Sequence, residues 1–200
     1  RVAGVQASEG KIQFTGSGRE FFSSEAPPRL RLENYLGAMD EPGEWFLEKN
    51  GTLHYLPLPG EKPESSTVVA PKATQWIVIK GQPDKDAYVE NIQFDGLQFQ
   101  FQQWITPKPG IHAGQIEANL PLPAIEANGA RHLNFTNCKF EHSATHAIWL
   151  RSGCSDARVS HCLFHDLGAG GVYVGDPGAS KDDKKHTHHV SVEDCIFCSG

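Results

Sequence analysis

Four eight-residue segments of this chain share one pattern: apolar, any, apolar, two of any kind, Cys or Leu, any, then Phe. They are residues 92–99 (IQFDGLQF), 133–140 (LNFTNCKF), 157–164 (ARVSHCLF) and 190–197 (VSVEDCIF), and their starts lie 41, 24 and 33 residues apart. A second apolar motif recurs in step with the first. Ile125, Ile148 and Val172 open short alternating runs at spacings of 23 and 24. A unit of this length, made of short strands and turn residues, cannot bury its apolar face alone and must stack on its neighbours. We take 24 residues as one plain coil and the longer spacings as the same coil carrying insertions of 17 and 9 residues.

The fold class this predicts is all-β: a right-handed parallel β-helix, preceded by a small β-hairpin module. Leucine-rich repeats fail because no L-x-x-L-x-L run is present, and helical repeats fail because the units have no 3.6 period. An antiparallel β-sandwich would space strands regularly but would not repeat several positions in register. The register places Cys138, Cys162 and Cys195 at one inner position, and Phe99, Phe140, Phe164 and Phe197 at another, one per coil. Such a ladder does not converge on a point, so the thiols read as small buried hydrophobes and no metal site is expected. Cys154 and Cys198 are placed in turns. Cys195 and Cys198 form a C-x-x-C pair, but a strand pattern runs through them, which argues against redox chemistry.

Composition narrows the function. Lys plus Arg number 18 against 24 Asp plus Glu, for a formal net charge of −6. With no clustered basic stretch, nucleic acid and anionic membrane surfaces are not expected partners. No run reaches the ~18–20 apolar residues of a membrane span. The insertion at residues 177–189 holds KDDKKHTHH; it reads as a solvated loop rather than a metal site.

The first third carries no repeat. Residues 44–56 (EWFLEKNGTLHYL) read as a hairpin turning at Asn50-Gly51, residues 57–66 as a linker, and residues 30–36 as a weak helix. The expected division is residues 1–65 as an N-terminal β-rich module, and residues 66–200 as β-helix coils. Strands at 67–70 and 76–79 would start the solenoid, and further coils are expected beyond residue 200.

Two stretches resemble a known family. Glu33-Asn34-Tyr35, residues 40–46 (DEPGEWF) and residues 51–55 (GTLHY) resemble the ENv…DePGEWy…GtLyY run of secreted bacterial β-helix proteins, glycoside hydrolase family 141 among them. Residues 165–176 (HDLGAGGVYVGD) resemble their DLGaGGiriGe coil, departing at Asp176, where the relatives usually have Glu. The resemblance implies a carbohydrate-active enzyme acting on plant cell-wall or similar glycans, a polysaccharide or oligosaccharide substrate, and a secreted or periplasmic location; no cofactor is expected.

Strand alternation then nominates residues. With Ile125, Ile148 and Val172 inward, Glu126, Trp149 and Tyr173 point outward in one row. An exposed aromatic row beside a carboxylate suits sugar binding, with Arg151 and His165 as further substrate contacts. Glycoside hydrolysis needs two carboxyl groups across the bond, and Asp166 and Asp176 are the candidate catalytic pair. Asp166 aligns with His142, His165 with Glu141, and Asp176 lies beside Arg151 and Ser152. Glycines 168, 170 and 171 are expected to serve a tight turn. Two rival functions remain: a polysaccharide lyase, which wants a free Lys or Arg in the groove, and a non-catalytic glycan-binding solenoid.

Overall fold

The computed structural model describes residues 2–15, 34–105, 122–178 and 180–199. The chain divides into two compact units, Arg1–Val69 and Ala70–Gly200. In the first, β1 (Val2–Gln6) pairs antiparallel with β2 (Lys11–Phe14). β3 (Trp45–Leu47) pairs antiparallel with β4 (Leu53–Tyr55), bringing Phe46 opposite His54. The turn between them closes through Asn50 Oδ1, which accepts the Thr52 amide at 2.8 Å, and through Gly51 at φ 92°. Residues 30–33 of the expected helix lie outside the described residues; a 3-10 turn spans Leu36–Ala38.

The polar residues of this unit are structural anchors. The Glu44 carboxylate accepts the amides of Asp40 (2.8 Å) and Glu41 (3.1 Å), which lowers its pKa below the usual range. The stretch read as a linker is tied down in the same way. Glu61 accepts the Tyr55 hydroxyl, the Leu58 amide and the Ser66 hydroxyl.

Among the described residues, the second unit is a parallel solenoid of four coils. Its strands are β5 (Ile77–Lys80), β6 (Val89–Asp95) and β7 (Gln98–Gln102) in coil 1, then β8 (Ile125–Asn128), β9 (Ala130–Thr136) and β10 (Lys139–Ser143) in coil 2. Coil 3 holds β11 (Ile148–Leu150), β12 (Arg158–Ser160) and β13 (Leu163–Leu167); coil 4 holds β14 (Val172–Val174), β15 (Ser191–Glu193) and β16 (Ile196–Cys198). They form three sheets, ordered β5-β8-β11-β14, β6-β9-β12-β15 and β7-β10-β13-β16. Residues 67–70, expected as a strand, are not one, and the solenoid begins at β5.

The register is the one the repeat predicts. Phe140 pairs with Phe99 and Phe164, and Phe164 with Phe197. Their rings stack at 5.1, 4.8 and 4.6 Å with interplanar angles under 10°. Cys138 and Cys162 are buried and Cys195 is half-buried, all as free thiols. Cys154 is buried in a turn, whereas Cys198 ends β16 rather than lying in a turn.

Each corner repeats a left-handed residue. Asn91, His132, Asp156 and His189 occupy one column, Gly96, Asn137, His161 and Asp194 a second, and Phe101, His142, Asp166 and Ser199 a third, all with φ between 51° and 67°. Asn, Asp and His tolerate this conformation better than other non-glycine residues, so it bends the chain at low cost. Glycines 168 and 171 serve close approach rather than positive φ. A Cβ at Gly168 would collide with the Ala144 carbonyl, and one at Gly171 with the Phe197 ring.

Candidate functional site

The sheet β5-β8-β11-β14 carries the predicted outward row. Trp149 stands in register with Glu126 and Tyr173, and Glu126 with Val78. The orientation is as expected, but the exposure is not. Trp149 is 5% exposed, so it is no open platform. The Tyr173 ring lies 4.6 Å from the Trp149 ring, the Arg151 guanidinium carbon lies 4.4 Å from the ring centroid, and Nε1 donates to the Gly175 carbonyl at 2.7 Å. Tyr173 in turn stacks on His146 at 5.2 Å.

Arg151 organises this face. Its Nε donates to Asp176 Oδ1 at 2.7 Å, and one terminal nitrogen lies 3.4 Å from Glu126 Oε1. Asp176 also accepts the Ser152 amide at 3.0 Å, and Glu126 accepts from Asn128 at 3.0 Å. One planar guanidinium spanning both carboxylates holds their facing oxygens within roughly 8 Å. Glu126 comes from coil 2, Arg151 from coil 3 and Asp176 from coil 4, so three coils assemble the cluster.

Asp166 and Asp176, the pair nominated from sequence, are not brought together. They flank opposite ends of β14, and among the described residues no hydrogen bond or ion pair joins them. Asp166 sits at the third corner, where its carboxylate binds His142 Nδ1 at 2.7 Å. Phe101 stacks on His142 at 5.0 Å, and His165 approaches edge-on at 6.0 Å. Glu141 accepts from Gln98 (2.7 Å) and Gln100 (2.9 Å), and these bonds to its charged form lower its pKa. His165 therefore belongs with the His142–Asp166 pair and not with the Trp149 row.

The insertion is solvent-exposed, as expected of a loop, and is also tied to coil 1. Residues Asp183–Lys185 of coil 4 meet Pro83–Lys85 of coil 1 at the same corner, through Lys184–Asp86 at 2.7 Å and Lys185–Asp84 at 3.1 Å. Coils 2 and 3 make room with glycine. A Cβ on Gly153 (φ 67°) would lie 2.5 Å from Pro83 Cγ and 2.8 Å from the Lys184 carbonyl oxygen. Two clefts flank this crossing and share Ser152 and Lys185. One, of about 580 Å³, is bordered by Asp176 and His186; the other, of about 650 Å³, by Lys80, Lys85 and Asn128. Sequence reasoning missed these clefts. The signal available was that residues 81–88 and 175–189 both interrupt the step from the first sheet to the second.

The thiols take no visible part in this arrangement. Burial is the main cause pushing the Cys162 thiol up to about 11, and burial likewise raises Cys154. Among the described residues, no group of three His, Cys, Asp or Glu side chains is arranged to hold a metal ion. No helix among them is long and apolar enough to cross a membrane.

Two comparisons fit this architecture. Residues 87–197 match the model of the right handed β-helix region. A solved structure named "Glycoside hydrolase" superposes with a TM-score of 0.70 at 20% identity, over 82% of this chain and 34% of that one. The chain thus spans about a third of that protein's length, and the likeness is one of fold. No curated protein matches the sequence. The family match covers more than half of the chain, and with four stacked coils in register, the chain belongs to the right-handed β-helix family.

Proposed function

We propose that this protein is carbohydrate-active and hydrolyses glycosidic bonds in a complex polysaccharide of the plant cell-wall type. The observation that carries the reading is the Glu126–Arg151–Asp176 cluster beside Trp149 and Tyr173, with Asp176 bordering an open cleft. Two carboxylates held within roughly 8 Å by one guanidinium are close enough to act from two sides of a single glycosidic bond, as hydrolysis requires. Asp176 and Glu126 are accordingly the acid/base candidates, and Asp166 is set aside because His142 engages it at another corner. The glycoside hydrolase neighbour supports the same class of chemistry. A secreted or periplasmic location goes with this reading, and cell fractionation tests it.

One observation favours a second reading. Arg151 already engages both carboxylates, as it would in a glycan-binding surface with no catalytic role. The same engagement argues against Arg151 as the base of a lyase, because its guanidinium is already held by Glu126 and Asp176. Reducing-sugar release by the protein across neutral and acidic polysaccharides separates these readings. Hydrolysis that falls at least about a hundredfold in Asp176→Asn or Glu126→Gln, with folding intact and Asp166→Asn near wild type, supports the proposal. Binding without release supports the non-catalytic reading. Products carrying a new unsaturated bond overturn hydrolysis.

A further inference from the structure

The cleft on the coil 1 side holds charge that neither the carboxylate pair nor the loop crossing uses. It is bordered by Lys80, Lys85 and Lys185, against the single carboxylate of Asp84. Lys185 is occupied by Asp84 at 3.1 Å, and the nearby Asp86 by Lys184 at 2.7 Å. Lys80 and Lys85 are exposed, and their side chains have no ionic or hydrogen-bonding partner among the described residues. Two ammonium groups thus stay uncompensated at one cleft of a chain whose net charge is −6.

Their placement follows from the fold. Lys80 ends β5 in register with Asn128, which ends β8, and the next coil of that row brings Arg151. The cationic cleft therefore lies on the same sheet face as the Glu126–Arg151–Asp176 cluster, displaced from it along the solenoid axis. Ser152 and Lys185 border both clefts and join them. A glycan lying along the axis would meet the carboxylate pair at one point and the lysines a few coil steps of ~4.8 Å away.

We infer that this cleft is a subsite for an anionic sugar, a residue whose carboxylate or sulfate is held by Lys80 and Lys85 while Asn128 and Ser152 receive its hydroxyls. The inference rests on the glycan reading above and adds the charge of the substrate. Lysine is a flexible point charge with three donors, suited to a solvated anionic group that need not be read bidentately. A neutral sugar would take hydrogen bonds from the two ammonium groups but would leave their charge uncompensated.

The test is equilibrium binding to three oligosaccharide probes of equal length: a homo-uronate, a sulfated and a neutral one. We expect one anionic probe to bind at least about tenfold more tightly than the neutral probe, with the advantage shrinking as salt is added. Lys80→Ala/Lys85→Ala should abolish the advantage and Lys80→Arg/Lys85→Arg should keep it. Both positions are exposed, so an unchanged melting curve is expected for each variant. The anionic probe that binds identifies carboxylate or sulfate as the group recognised. Equal binding of all three probes, no binding of any, or anionic binding unchanged in the alanine variant overturns the subsite. The hydrolase reading is judged separately, by sugar release from neutral and acidic polysaccharides and its loss in Asp176→Asn or Glu126→Gln.

Discussion

Trp149 combines the orientation of a sugar-stacking ring with the burial of a core residue. Strand alternation turns it away from Ile148 and Leu150, yet Tyr173 and Arg151 lie against its ring. Its contribution is therefore structural first: it seats the guanidinium that joins Glu126 to Asp176. Trp149→Ala should destabilise the fold by about 3–5 kcal/mol, as truncating a buried aromatic does. Trp149→Phe, which keeps the ring but loses the bond to the Gly175 carbonyl, should cost less. Chemical denaturation of both variants checks this, and an alanine variant as stable as wild type would return Trp149 to the role of an open platform.

Within the solenoid, the elements hold one another through like-on-like stacking. Phe140 is fully buried between Phe99 and Phe164, whereas Phe197 is stacked on one side and 52% exposed. Phe140→Ala should therefore cost about 3–5 kcal/mol. Urea midpoints of wild type and variant check this; a loss under about 1 kcal/mol would mean that the ladder does not carry coil-to-coil stability. The glycines of the HDLGAGG stretch belong at this scale too. They are demanded by the Ala144 carbonyl and the Phe197 ring, which the local sequence does not reveal.

For the second unit as a whole, the crossing of the coil 1 and coil 4 loops departs from solenoid behaviour. Stacked repeats normally contact only their neighbours, so stability is a sum of adjacent interfaces. Here Lys184–Asp86 and Lys185–Asp84 tie coil 4 to coil 1 directly, over the corners of the two coils between. These side chains are 41–66% exposed, so each pair contributes little and is screened by salt. Lys184→Ala/Lys185→Ala should lower the thermal midpoint by a few degrees at low ionic strength and by less at high salt. A shift independent of salt would show that backbone packing at Gly153, not charge, makes the crossing.

The repeat period, the inward Phe and Cys columns, the outward row and the Glu141–His165 alignment were all legible in the sequence. Each follows from alternation at period 2 and a coil of about 24 residues, which neighbouring side chains encode. Only the tertiary structure decided which outward residues meet water and which carboxylates meet. Glu126, Arg151 and Asp176 lie 25 residues apart along the chain, and their pairing depends on the reach of one arginine across three coils. Asp166 looked equivalent to Asp176 in sequence, but the corner conformation turns it to His142. The crossing at Lys184 and Asp86 joins residues 98 apart. No local pattern specifies such a contact, because it exists only once the intervening coils have stacked.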